Sequence, residues 1–428
     1  MSENSPHSAR RFQSALVWNF GSLAVLGVSG IALNVLIGAL YDEAALGIFN
    51  QALAAYIFFS QAAVGGLDRS VLKEAAAAAH DRERVRASVA AALLPTALLA
   101  GLVTIAFWFA RAPIGAWLQS PGTAEGIAWA TPGLFFFALN KVLLATVNGL
   151  SRMRAFAVYQ ALRFVLILAA LGGFALLDTR REHAAHLAGV FSFAEGLLFL
   201  VLALEVWLQL RGPLVASWKQ LVRPHLAFGL RSVGSGVLLE LNARVDVLMI
   251  GWFMSDSDVG VYTFAAMICE GVYQLLVVLQ NLYNPLLARE LAARRLVELH
   301  ATIQRGKWRT YAGMLGAAAL ALLLYPLALS ILTDKPGFAE SVVPFRWLML
   351  GIVLCAGYIP FAQTLLMAGF PGTHTLYMVL TVLVNVVGNA ILIPHMGIAG
   401  AAIATAISMF AGVFVLRGFV RKRTGLVL

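Results

Sequence analysis

Two stretches, "LYDEAALGIFNQALAA" (Leu40–Ala55) and "FMSDSDVGVYTFAAMI" (Phe253–Ile268), decide how this chain is organised. Aligned on Gly47 and Gly260, each passes from an acidic hairpin through an aliphatic-Gly-aliphatic-aromatic run into a helix of small residues. The offset is 213 residues, about half of the 428-residue chain. Each copy follows a long apolar run and leads through another into a basic segment. A repeated unit with an even number of membrane crossings keeps its orientation. The echo therefore implies two parallel repeats about an axis normal to a membrane. The expected domains are residues 1–215 and 216–428, joined near "RGPLVASWKQLVRPH" (211–225).

Composition sets the solvent. Sixty per cent of residues are hydrophobic and only 12% are charged, with a mean hydropathy of +0.82. A spanning helix needs roughly 20 mostly apolar residues. Such runs lie near 15–40, 44–67, 87–110, 125–150, 155–177, 187–210, 226–253, 259–287, 308–332, 343–368, 373–394 and 397–419. The expected fold is an all-α integral membrane protein of about twelve helices in two six-helix lobes. Long apolar runs exclude a membrane β-barrel, whose strands are short and alternating. The N-terminal "MSENSPHSARRF" precedes an apolar run too long for a signal-peptide core, so it reads as an uncleaved first span.

Orientation follows the positive-inside rule. With a cytoplasmic N-terminus, the inside segments hold 22 Lys and Arg and the outside loops 4, the richest inside loops being 68–86 and 289–309. The net charge of +10 and pI near 9.9 therefore reflect topology and argue no nucleic-acid partner. Both termini are expected in the cytoplasm. Cys269 and Cys355 fall within spans and make no disulfide framework.

Ionisable residues inside spans are costly and mark function by default. The stretch "LLELNARVDVLMIG" (238–251) holds Glu240, Asn242, Arg244 and Asp246. At 100° per residue, Arg231, Ser235, Asn242 and Asp246 share one face. Glu240 and Arg244 lie on the other, four apart with the acid first, the favourable order for a structural ion pair. Lys141 and Arg163 fall on adjacent spans at one depth, within about 6 Å of the midplane. Two cations at one depth suit a diphosphate group; Glu195 or Glu205 in the sixth span is the competing partner for them. Glu270, near the centre of the eighth span, is the ion-coupling candidate. Asp256-Ser257-Asp258 matches a metal-binding Asp-x-Asp but reads as turn chemistry. Glu182–His186, "EHAAH", reads as a polar loop. No metal or cofactor is expected. Gly400, Ala404, Ser408 and Gly412 form a small-residue stripe suited to close helix contact. Pro95, Pro132, Pro326 and Pro360 are candidate bends.

The stretches "WNFGS" (Trp18–Ser22), "ALGIFNQA" (Ala45–Ala52), "GGLDRSV" (Gly65–Val71), "RVDVLMIGWFMSDSDVGVYTFA" (Arg244–Ala265) and "NVVGNAILIPHMGIAGAAIATAIS" (Asn385–Ser408) resemble the Wzx-type polysaccharide-transporter flippases. These share a superfamily with multidrug and toxin extrusion (MATE) exporters and lipid II flippases. The resemblance implies a bacterial inner-membrane flippase that moves an undecaprenyl-diphosphate-linked oligosaccharide by alternating access, for O-antigen, lipopolysaccharide or exopolysaccharide synthesis. Its partners would be the lipid-linked oligosaccharide, membrane lipids, and a polysaccharide polymerase and glycosyltransferases. In that reading Lys141, Arg163 and Arg231 hold the diphosphate, Asn34, Asn242 and other amides contact the sugars, and Asp246 is a further substrate-binding residue. The alternative is a cation-coupled multidrug exporter. Many of those carry an acid in the first span, whereas residues 12–40 contain none. A membrane-embedded polymerase or glycosyltransferase ranks last, because the outside connections are too short to hold a substrate domain.

Overall fold

A computed structural model describes residues 25, 27–213, 218–332 and 335–428, with the side chains of residues 232–236, 239 and 242 outside that description. The "WNFGS" stretch and the start of the first span therefore lie outside the described residues. Within them the chain is helical, and no strand occurs. The helices are α1 (Gly27–Leu40), α2 (Glu43–Val64), α3 (Leu67–Ala77), α4 (Arg82–Trp117), α5 (Pro121–Gly149), α6 (Met153–Leu177), α7 (Gly189–Gln209), α8 (Trp218–Phe253), α9 (Asp256–Ala292), α10 (Leu296–Leu332), α11 (Val342–Cys355), α12 (Thr364–Met367) and α13 (Pro371–Thr424).

Eight of the described helices are long and apolar enough to cross a membrane, and the order of elements fits about twelve crossings once two irregularities are resolved. The 54 residues of α13 are two arms that meet at Gly397. Its φ of 60° and ψ of −142° need a residue without a side chain. The tenth crossing is interrupted: α11 ends at Cys355, a 3₁₀ turn covers Ile359–Phe361, and α12 resumes at Thr364. Pro360 sits in that gap, whereas Pro95, Pro132 and Pro326 lie within continuous helices. At Pro132 a side chain repairs the ladder. Ser192 Oγ accepts from Gly133 N at 2.9 Å and donates to Trp129 O at 2.6 Å. Backbone freed by proline in a membrane helix needs such a partner.

Helix starts follow local chemistry. Asp81 accepts from Arg84 N at 3.0 Å to open α4. Ser120 accepts from Thr123 N at 3.0 Å, with Pro121 at the first helical position, to open α5. Ser255 and Asp258 form a reciprocal capping box at the start of α9. The Asp-x-Asp motif is thus accounted for by the end of a helix. The basic segment 68–86, expected as a loop, contains α3 instead. Its buried Leu67, Ser70, Val71 and Ala75 fall at helical spacing, which the charges Asp68, Arg69, Lys73 and Glu74 obscure.

The chain divides into two compact units. The first comprises residues up to Leu33 and Gln51–Glu240; the second comprises Asn34–Asn50 and Leu241–Leu428. In the first, Val71, Val89, Ala92, Val142, Val147, Leu198 and Leu202 form a core of α3, α4, α5 and α7. His225 ties α8 into that unit, with Nδ1 2.7 Å from Ser70 Oγ and Nε2 3.0 Å from Ser88 Oγ. In the second, Leu287, Ile303, Phe361, Leu416, Val420, Leu426 and Leu428 form a core at the end that carries the C-terminus.

Also within the second unit, the two glycines of the sequence echo meet each other. A Cβ on Gly47 would stand 1.8 Å from Asp256 O, and one on Gly260 would stand 1.8 Å from Glu43 O. Each amide nitrogen lies 3.1 Å from the other glycine's Cβ position, so the contact is reciprocal. Helices in lipid gain stability from such close approach, which only a missing side chain permits. The stripe expected along the last span behaves similarly. Gly400 closes on Leu392 O, and Ala404 on Gly388, between the two arms of α13.

Gly47→Ala or Gly260→Ala is expected to destabilise the purified protein by about 3 kcal/mol or to abolish its folding. Gly101→Ala, where no atom lies within 4 Å, is expected to be neutral. Thermal unfolding followed by size exclusion checks the contrast, and wild-type melting of both tight variants would refute the contact.

Candidate functional site

In the first unit the two sequence-predicted cations converge on one aromatic ring. Phe137, Asn140 and Lys141 lie on one face of α5, at i, i+3 and i+4. Lys141 Nζ stands 5.4 Å from the Phe137 centroid, and the Arg163 guanidinium carbon, from α6, stands 4.9 Å from it. Tyr56 of α2 meets Phe137 edge-on at 5.8 Å and stacks on Phe191 of α7 at 5.2 Å.

Charge separates the two cations. Arg163 Nε lies 2.8 Å from Glu195 Oε1, with side chains 13% and 3% exposed, and Nη2 donates to Oε2 at 3.3 Å. Asn140 Nδ2 donates to Glu195 Oε2 at 2.8 Å and to its carbonyl at 2.9 Å. Glu205 is engaged elsewhere, by Arg152 and Gln209. Among the described residues Lys141 has no carboxylate within 4 Å and no hydrogen-bond partner. Tyr56 Oη and Asn140 Oδ1 are buried without partners beside it. Orphaned buried polar atoms call for an occupant. The site therefore offers an ammonium without an ion pair among the described residues, one acceptor and one hydroxyl against an aromatic wall. Asn140, Tyr56 and Phe137 were absent from the sequence reading. The i, i+3, i+4 spacing from Phe137 to Lys141 was the available signal.

The second unit holds a carboxylate node. Asp246 of α8 accepts from Tyr262 Oη at 2.8 Å, Asn389 Nδ2 at 2.7 Å and Thr405 Oγ1 at 2.7 Å. Asn389 Nδ2 also reaches Asn385 Oδ1 at 2.8 Å, and Asn389 Oδ1 is buried without a partner. Asp246, Asn385, Asn389 and Thr405 are oxygen donors of the kind hard cations take. Asn34 accepts from Asn50 Nδ2 at 2.9 Å. Arg231 and Glu270 are exposed, and Asn242's side chain lies outside the described residues. Among the described residues no ion pair joins Glu240 and Arg244, and Arg244 Nε is buried without a hydrogen-bond partner. Among the described residues no cluster of His, Cys, Asp and Glu is arranged for a metal. His183 and His186 of "EHAAH" face Asp178 at 3.3 Å and Glu125 at 2.9 Å.

Residues 19–292 match the family described as polysaccharide biosynthesis protein. The chain belongs to that family. Residues 235–391 also match the MatE family. No curated protein matches. Among solved structures, an inward-facing multidrug resistance MATE family transporter of the MOP superfamily superposes with a TM-score of 0.74 at 16% identity, over 93% of this chain and 98% of that one. The lipid II flippase MurJ, in an inward closed conformation, also gives 0.74, at 14% identity, over 95% and 87%. A MOP superfamily transporter from Pyrococcus furiosus, described as having a binding pocket of reverse polarity, gives 0.64 at 14% identity, over 96% and 95%. The chain thus has the MATE-like transporter fold, and the solved structures it resembles are transporters and a flippase.

Removing Glu195 leaves Arg163 as a buried, unanswered charge. Glu195→Gln is expected to cost about 3 kcal/mol, and the double variant Arg163→Met, Glu195→Gln to recover part of it. Chemical or thermal unfolding in detergent reads both. Additive losses in the double variant would show that the pair is not coupled.

Proposed function

We propose that this protein is a flippase for an undecaprenyl-diphosphate-linked oligosaccharide in the bacterial inner membrane. Both termini would lie in the cytoplasm, and transport would serve surface polysaccharide synthesis. Lys141 carries the proposal. Glu195 pairs with Arg163 and leaves Lys141, on the Phe137 ring, with no ion-pair partner within 4 Å among the described residues. An anionic head group fits that vacancy in charge, and the unpartnered Tyr56 Oη and Asn140 Oδ1 suit the hydroxyls of an adjacent sugar. Family membership supports a role in polysaccharide synthesis, and the fold supports alternating access of the lobes 1–215 and 216–428. The lipid tail would remain in the bilayer while charge-assisted hydrogen bonds replace the hydration of the diphosphate. A polymerase and glycosyltransferases would act before and after the transport step. The drug-exporter reading lacks a comparable support: a free cation in the site repels cationic drugs.

Energy coupling is proposed at Asp246 in preference to Glu270. A coupling carboxylate has to exchange a proton or cation in an enclosed polar cage, and Asp246 is surrounded by Tyr262, Asn389 and Thr405. Glu270 is exposed.

Lys141→Ala is expected to reduce surface glycan at least about tenfold per folded transporter, the loss associated with one charged contact. Lipid-linked precursor should accumulate in the inner leaflet. Lys141→Arg should retain part of the activity. Normal export by Lys141→Ala, with wild-type protein levels, would reject the assignment.

A further inference from the structure

Lys307 is a second buried ammonium without an ion-pair partner among the described residues. It lies on α10, 8% exposed, at the end of the second unit that carries the C-terminus. Its Nζ stands 4.0 Å from the ring centroid of Tyr358. Among the described residues it makes no ion pair and no hydrogen bond. Glu290, the buried acid of α9, is already taken by Arg289 at 2.9 Å and Arg295 at 3.9 Å. A cation–π contact returns less than it costs to withdraw an ion from water. Tyr358 alone therefore does not account for this burial.

The surroundings point to the missing group. Arg417 stands 5.7 Å from the same ring and has no carboxylate partner among the described residues. Tyr358 lies in the interruption of the tenth crossing, where the chain between Cys355 and Ile359 leaves the α-helix. Gly306 lets α10 approach closely there: a Cβ would stand 2.7 Å from Tyr283 Oη and 3.1 Å from Phe361. Tyr358 and Phe419 pack against the same core, and Phe419 lines a cavity of about 530 Å³ together with Phe370, Thr373, Leu376, Lys422 and Arg423. Arg423 stands 5.7 Å from the Phe370 ring. The tail that follows is pinned, with Leu426 and Leu428 buried and His300 Nδ1 2.7 Å from Val427 O. Cations beside an apolar wall, at the end of membrane helices, match an amphiphile whose head is an anion.

We propose that Lys307 and Arg417, on Tyr358, bind the phosphoryl group of a membrane amphiphile, with its apolar part along Leu376 and Phe419. The shared chemistry is a phosphate ester on a hydrocarbon tail. An anionic phospholipid and a polyprenyl phosphate both supply it. The site is separate from Lys141, and its existence does not depend on the transport reading.

The test uses the full-length protein in nonionic detergent, with the melting temperature followed during titration. The probes are phosphatidylglycerol, undecaprenyl phosphate, neutral galactosyl diacylglycerol and inorganic phosphate. Both phosphate lipids should raise the melting temperature and the galactolipid should not. Lys307→Gln should raise their half-saturating concentration about tenfold or more, the loss expected for a charged hydrogen bond. Its lipid-free melting temperature should hold or rise, because an unanswered buried charge has been removed. A merely structural lysine would give the opposite pattern: lower lipid-free stability and unchanged half-saturation. Arg417→Gln, at an exposed position, gives the second measure of affinity. Tighter binding of phosphatidylglycerol would assign the site to a phospholipid, and tighter binding of undecaprenyl phosphate to a polyprenyl carrier. Wild-type half-saturation in both variants, an equal shift by the galactolipid, or a full shift by inorganic phosphate alone would overturn the proposal.

Discussion

Hydrocarbon offers no hydrogen bonds, so a polar group on a membrane helix has to find its partner within the chain. The site in the first unit follows from how unevenly that requirement is met. Glu195 satisfies Arg163 and draws in Asn140. Lys141, on the same Phe137 ring, has no ion pair or hydrogen bond among the described residues. Were Glu195 to reach Lys141 instead, the accessible charge would move to a guanidinium, which binds anions in a fixed planar fork. The ammonium is a compact charge with rotatable donors. Under the proposed function it suits a head group that is held during transit and then released.

The second unit resolves the same requirement by different means. Asp246 receives donors from α9 and from both arms of α13. Where the tenth crossing breaks, side chains take over the backbone's hydrogen bonds. Gln280 Nε2 donates to Ile359 O at 2.9 Å, and Tyr311 Oη to Leu354 O at 3.0 Å. Irregular backbone at membrane depth persists only where such partners exist. Close packing supplies the remaining stability, most tightly where Gly47 and Gly260 leave no room for a side chain.

Hydropathy and the internal echo carried the helix count, and the contact of Gly47 with Gly260 explains physically why that echo is centred on glycine. Small residues recurring every four positions from Gly400 likewise foretold a close helix contact. Amphipathic α3 was hidden because its charged face reads as a basic loop. The gap at Ala356–Gln363 was hidden because its residues are as apolar as a helix of that length requires. Site residues were legible only as isolated charges. Spacing placed Lys141 and Arg163 at one depth, but the choice of Glu195 for Arg163 depends on how α6 and α7 pack. Asp246 was found from one helix face. Tyr262, Asn389 and Thr405 lie 16, 143 and 159 residues away in sequence, and no local periodicity connects them.

The central claim is that an anionic head group, held by a free lysine, is what this fold moves. Reconstituted proteoliposomes allow that to be measured directly, by following translocation of one glycan carried on undecaprenyl diphosphate or on a neutral polyprenol. The account predicts rapid movement of the diphosphate-linked glycan and only background movement of the neutral one, with the difference lost in Lys141→Ala. Equal movement of both lipids, or transport of a cationic drug in place of either, would contradict it.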